Sequence, residues 1–347
     1  AAWASWRLGL PLPDYAMIGA LRDRVRNHSS SSKAWGLLSL MLRIAVEYSS
    51  PDDCQALVAE CEQTARKALS LDRDNGEARA ALAGLPPLFG NWLAVREQLL
   101  VARERDTENV PVAHDLAILE MATGRPSAAT PIIEALIARD PLAALFHYKR
   151  VYHLWVSGQY AEMDRVADRA LQLWPRHPAI WFARVWSLGF TDRPAAALAL
   201  TEDGAIRPQI PPTAFEALRG TLSACARKAD DKEDIASAVA ANLQAAKRGP
   251  AQCVAAIIHL AALGAVDRAF DVANAYFLRR GPLIVQLRNT ADDPSINDQH
   301  RRVTQMLFLP VTEVLRRDGR FLQLCDETGL VGYWRQAKVA PDFLSKT

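Results

Sequence analysis

The chain has 347 residues, half of them apolar, and 41 basic against 39 acidic side chains leave a formal net charge of +2. There is ample material for a large core, but no strong positive field to hold a phosphate backbone or an anionic bilayer, so nucleic-acid binding by this chain is not expected. Apolar runs fall short of the ~20 residues that span a bilayer, and the five cysteines (Cys54, Cys61, Cys225, Cys253, Cys325) are odd in number and scattered, reading as small buried apolar residues rather than a disulfide framework.

At the N-terminus, AAWASW reads as a frayed end, the alternative being the exit of a membrane helix upstream. The first reading places the chain in the cytoplasm and the second in the periplasm. A short amphipathic helix is expected over 15–27, capped by Asp14, between LPLPD and the serine run Ser29–Ser32. Residues 1–32 are accordingly expected to cap the helices C-terminal to them, since an end element must cover an otherwise bare apolar face. The tripeptide NHS at 27–29 has the form of a glycosylation acceptor, a pattern too common by chance to carry weight.

From residue 33 the chain repeats. Gly90, Gly124, Gly158 and Asp192 stand 34 residues apart, each where one apolar helical stretch gives way to the next. Glycine and aspartate there suit a left-handed turn. Asp72, Asp106 and Asp140 recur at the same spacing and close the second stretch, Pro141 and Pro175 share it, and Pro126 and Pro194 fall two residues after a turn, in the first turn of a helix. Strand-like alternation is scarce. The unit is a helix, a tight turn, a helix and a short loop, repeated.

These residues resemble the tetratricopeptide repeats. GQYAEM at 158–163, GRPSAA at 124–129 and GAVDRA at 264–269 are similar to the family's glycine turn with a small residue five places on, here Ala129 and Ala269. Trp181 matches the large residue of the first helix, Ala170 the small residue of the second, and Pro141 and Pro175 the closing proline. Met163 and Asp192 depart from the pattern, and the unit at 212–248 carries an insertion. The resemblance implies an all-α, right-handed superhelical solenoid of about seven helix pairs over 33–283, closed by a capping segment at 284–347. RPQIPP at 207–212 breaks the helical pattern and is a place where the packing angle can change, and RNTADDPSINDQH at 288–300 ends the regular repeats.

Within the repeats, LFHYKRVYHLWVSGQYAEM (145–163) is dense in rings. The period sets Tyr148 above Phe182, Tyr152 above Trp186 and Val156 above Phe190, and spacings of four place each set on one helix face, bordered by Trp155. First helices line the concave side in the family, so Tyr148, Tyr152, Trp155, Phe182, Trp186 and Phe190 form either the core between adjacent first helices, a groove that takes a protein or peptide segment, or a seat for the chain's own tail.

The last stretch, LRRDGRFLQLCDETGLVGYWRQAKVAPDF, resembles the C-terminal closure of repeat domains in bacterial one-component regulators with a winged-helix DNA-binding domain. Arg320 with Phe321, Gly329 with Leu330, Tyr333 with Trp334, and Pro341 to Phe343 carry the likeness. It implies a sensory or interaction module, and its apolar residues are expected to cover the last repeat as a lid.

Catalytic chemistry is not apparent. The seven histidines form no metal-binding spacing, and His147 and His153, six apart, point to different faces of one helix. DRDNGE at 72–77 is similar to a calcium loop but lacks the glutamate at the twelfth place, and reads as the loop between repeats. Glu162 with Arg165, and Asp164 with Asp168, are expected on outward faces where they only keep the surface wet. The sequence thus predicts a non-catalytic binding scaffold without cofactor or metal, the alternative being the regulatory half of a transcription regulator.

Overall fold

In the computed structural model, which describes residues 1–10, 13–49, 51–86, 88–227, 232–285 and 304–344, the described residues hold α-helices and short 3-10 turns and no strand. The expected end of the repeats at 288–300 lies outside the described residues. The chain divides into two compact units, and the division falls between residues 143 and 144, inside the expected repeat region. A period in sequence reports local helix-pair geometry and does not mark where one compact unit gives way to the next.

The first unit contains α1 (Ala2–Leu8), α2 (Tyr15–Asn27), α3 (Ser32–Tyr48), α4 (Pro51–Leu71), α5 (Gly76–Gly84), α6 (Trp92–Arg105), α7 (Val110–Ala122) and α8 (Pro126–Arg139). The second holds α9 (Ala144–Val156), α10 (Tyr160–Leu173), α11 (Pro178–Gly189), α12 (Pro194–Glu202), α13 (Pro212–Ala226), α14 (Lys232–Ala246), α15 (Pro250–Ala262) and α16 (Val266–Leu278), then α17 (Glu313–Arg316) and α18 (Arg320–Glu327). The last helix, α19 (Leu330–Gln336), returns to the first unit.

Within each unit a helix packs on the next, and first helices also pack on first helices: α3 on α5, α5 on α7, α9 on α11, α13 on α15. The turns that permit this are left-handed, with φ of 79° at Gly90, 78° at Gly124, 72° at Gly158, 62° at Asp192 and 68° at Gly264. Asp192 tolerates the conformation better than most side chains because its short carboxylate can bond locally. Pro126 and Pro194 sit in the first turns of α8 and α12, and Asp106 and Asp140 end α6 and α8.

A second ladder shares the period. Asn75 and Asn109, 34 apart, cap α5 and α7 through Oδ1, accepting from Ala78 N at 2.9 Å and Val112 N at 3.1 Å. Asn75 also donates to the backbone oxygen of Ser32 at 3.2 Å, joining one pair to the pair before it. Gly36 and Gly76 make room: a Cβ on Gly76 would lie 1.9 Å from Asn109 Nδ2, and one on Gly36 2.3 Å from Asn75 Oδ1.

The N-terminal residues correct the expectation of a frayed end. They form α1, whose Trp6 is buried edge-on against His114 at 5.4 Å, while Arg7 pairs with Asp140. Deeper in the same unit Arg43 donates to Glu47 at 2.6 Å and faces buried Asp115 at 3.6 Å, and Gly84 leaves space for its stem. Glu120, also buried, lies 3.5 Å from both Arg96 and Arg125.

The tail is also corrected, because it does not form one lid over the last pair. Residues 304–328 seat on α15 and α16: Phe321 is buried edge-on against Phe308 at 6.2 Å, and Arg320 lies over the Phe270 ring while reaching Asp267 at 2.8 Å. Residues 329–344 belong to the first unit, where α19 packs on α6. Sequence order placed Leu330, Tyr333, Trp334 and Phe343 next to the last repeat, but a chain that turns left-handed at Gly329 (φ 82°) can carry them elsewhere.

Candidate functional site

All six ring residues singled out in the sequence lie in the second unit, on α9, α11 and the turn after it. Tyr152 and Trp186 meet across the two helices at 6.4 Å between ring centroids, and Phe182 tilts against Trp186 at 5.4 Å. The other pairings shift from the simple period. Tyr148 stacks on His177, the N-cap of α11, at 6.4 Å, and Phe190 stacks on Trp155 at 6.5 Å with the planes 15° apart. Side chains lean toward the N-terminus of their helix, so equal sequence offsets do not bring identical ring tips together.

Burial separates the six. Trp155 is 0% exposed and Trp186 8%, so both stand behind the wall, while Tyr148, Tyr152, Phe182 and Phe190 are half-buried and form its open side. Burial, with Tyr148 adding to it, raises the Tyr152 phenol above its ordinary value. Lys149 Nζ lies 4.5 Å over the Tyr148 ring, giving this wall a cationic neighbour. His147 packs on Trp174 at 5.1 Å, and His153 is buried, its imidazole pushed down to about 4 by desolvation and by Lys149. Among the described residues no group of three or more histidine, cysteine or acidic side chains is placed to hold a metal ion.

Behind the wall runs a chain of buried polar groups that the sequence did not reveal. Trp186 Nε1–H donates to His259 Nε2 at 3.1 Å. An indole nitrogen only donates, so His259 Nε2 is an acceptor and its proton is on Nδ1, which lies 2.8 Å from Asn242 Oδ1. Asn242 Nδ2 then donates to Thr221 Oγ1 at 2.8 Å and to the Ala238 carbonyl at 2.9 Å, and Thr221 donates to the Ala217 carbonyl at 2.8 Å. Every donor has its acceptor, and the direction is the same from α11 through α15 and α14 to α13. Burial pushes the His259 imidazole down to about 3, keeping it neutral and the sequence of bonds intact. The contact skips a helix pair, since Trp186 and His259 are 73 residues apart. The only local signal was a polar residue on each apolar face, such as the histidine in AAIIHLAAL.

Of the acidic residues expected on an outward face, Glu162 pairs with exposed Arg165 of its own helix at 2.8 Å, as expected, whereas Asp164 and Asp168 also join one helix to the next. Buried Arg184 of α11 reaches Asp164 and, at 2.8 Å, Asp168, and Arg193 also binds Asp164. Burial works to raise the Asp164 carboxyl, but Arg193 and Arg184 hold it below the usual carboxylate range. Cys61, Cys253 and Cys325 are buried, with thiols pushed up to about 12 by desolvation.

Two surface grooves lie away from these rings. One, of about 740 Å³, lies between α4, α5 and α6 with an apolar floor that includes Leu69, Leu82 and Val101. The other, of about 620 Å³, lies between α12, α13 and α14 and is rimmed by Glu202, Arg219 and Asp234. Among the described residues no helix is long and apolar enough to cross a membrane. No known protein-family model matches the chain, and no curated protein does.

Proposed function

We propose that the chain is a non-catalytic interaction scaffold of the tetratricopeptide kind, a superhelical stack of helix pairs that takes a protein segment against the aromatic wall of α9 and α11. The observation that carries the reading is the arrangement of the half-buried rings Tyr148, Tyr152, Phe182 and Phe190 on a base of buried Trp155 and Trp186. Rings of this kind give large contact area at little cost in side-chain entropy, and a rigid base holds them in place before a partner arrives. The His259 chain is such a base, because it ties the wall to three further helices through bonds that are already satisfied. The partner is a polypeptide segment with apolar or aromatic anchors. Nucleic acid is not proposed, since the formal net charge is only +2.

The test uses variants that leave the base alone. Tyr148→Ala with Phe182→Ala should weaken capture of a cross-linked partner by more than about tenfold, the loss expected of hot-spot rings, while the melting temperature moves little. Unchanged capture by a folded double variant would sink the reading.

A second reading, the regulatory module of a transcription regulator, is favoured by the tail. Phe321, Leu330, Tyr333 and Trp334, among the residues that carry that likeness, are buried where the tail seats in both units. Sequencing the coding region on either side tests it, and a gene without a DNA-binding domain removes its support.

A further inference from the structure

We infer that the α6–α8 face of the first unit is a peptide-recognition site whose resident ligand is the chain's own C-terminal segment, 329–344, and that a partner segment with a Tyr-Trp pair and an aspartate eight residues beyond the tryptophan competes for it. Three sets of contacts define what is read. Leu330, Tyr333 and Trp334 are buried from one side of α19, the helix packed on α6. Trp334 Nε1–H donates to the Thr123 carbonyl at 2.8 Å, and Asp342 N donates to the Gly124 carbonyl at 2.8 Å, two oxygens at the end of α7. The Asp342 carboxylate then takes both the backbone N–H and the hydroxyl of Ser127, each at 2.8 Å, and so caps α8 from a distance of 215 residues.

The segment is treated as a ligand because equivalent turns elsewhere in the chain form without such a cap. The α9–α10, α11–α12 and α15–α16 turns have left-handed residues Gly158, Asp192 and Gly264, and the N-cap residues directly after them, Gln159, Arg193 and Ala265, provide no side-chain acceptor. Arg125, the N-cap of α8, provides none either. The helix pair thus presents backbone donors and acceptors at a turn, and Asp342 and Trp334 read them as a peptide would read a docking edge. A site held in cis sees its ligand at an effective concentration near the millimolar range for short tethers, so an outside segment gains access mainly when the resident one is weakened.

A synthetic peptide of residues 329–344, labelled at one end, tests the inference on the full-length chain by fluorescence anisotropy. A Trp334→Ala chain should bind the unaltered peptide at least ~100-fold more tightly than the unaltered chain does. On that chain, a peptide carrying Asp342→Ala should bind about tenfold more weakly, the loss expected of one capping side chain, and a peptide carrying Trp334→Ala should show no binding. If the Trp334→Ala chain loses helix content, saturating peptide restores it under the inference, and failure to restore it overturns the idea. The milder Asp342→Ala chain gives the second check. If that chain takes up no more peptide than the unaltered chain, the segment is an integral part of the fold and the inference is wrong.

Discussion

The two units build helix pairs on the same turn and differ in what lies between their first helices. In the first unit, the faces of α3 and α7 enclose ions: Arg43 with Glu47 and Asp115, and Glu120 between Arg96 and Arg125. In the second, the faces of α9, α11 and α15 enclose rings and a neutral chain that passes from Trp186 through His259 to Asn242 and Thr221. A repeat therefore specifies where side chains meet, and leaves open what they do there. Charges in a low-dielectric space require every partner in place, whereas rings tolerate small shifts and can leave one side open to a ligand.

The contrast between ions and rings is tested hardest by Arg43→Ala. It leaves Asp115 buried without its arginine, and a loss of about 3–5 kcal/mol is expected, read by urea denaturation. Removing one of the half-buried wall rings, Tyr148, Phe182 or Phe190, should not reach that figure.

Acid separates the units next. His259 has its folded value pushed down to about 3 from an ordinary 6.5, so it refuses the proton that the unfolded chain accepts. Its contribution is complete above the ordinary value and drains away as pH falls toward 3, by about 3 kcal/mol at pH 4 on the scale of ~1.36 kcal/mol per unit. His153, pushed down to about 4, acts in the same direction. Denaturation at pH 7 and pH 4 should show a smaller acid loss in His259→Gln, even though that variant begins less stable; an identical pH dependence would remove His259 as the cause.

Two glycines, one in each unit, probe the difference on a smaller scale. Gly76→Ala forces Asn109 from its capping position and should cost about 1–2 kcal/mol, the value of a lost cap. Gly158→Ala meets no atom within 4 Å, and its cost comes from φ of 72° alone, about 1 kcal/mol. Thermal melts that rank Gly158→Ala above Gly76→Ala in damage would show that turn strain outweighs the asparagine ladder.

Much of the local structure was legible in the residue pattern. Tyr15–Asn27 is a helix with Asp14 as its cap, because capping and helical spacing are short-range properties. The left-handed turns at Gly90, Gly124, Gly158 and Asp192 could be read because few residue types accept positive φ. The asparagine caps at 75 and 109 have the same period and could have been read in the same way. Five of the six ring residues lie on α9 and α11 and Phe190 just past the end of α11, but their division into a buried base and an open face was not legible, since exposure depends on what a third helix does.

Composition, period and turn chemistry were enough to establish that the chain is helical, where its helices turn back, and which faces carry rings. Three features emerged from tertiary packing alone: Trp186 bonds to His259 across 73 residues, Arg184 captures Asp164, and the tail parts at Gly329 to seat in the first unit. The physical reason is the range of the forces that choose each feature. Backbone strain and capping act within a turn of helix and repeat with the sequence, whereas contacts between distant pairs depend on small rotations summed over several packed helices, which no single stretch of residues encodes.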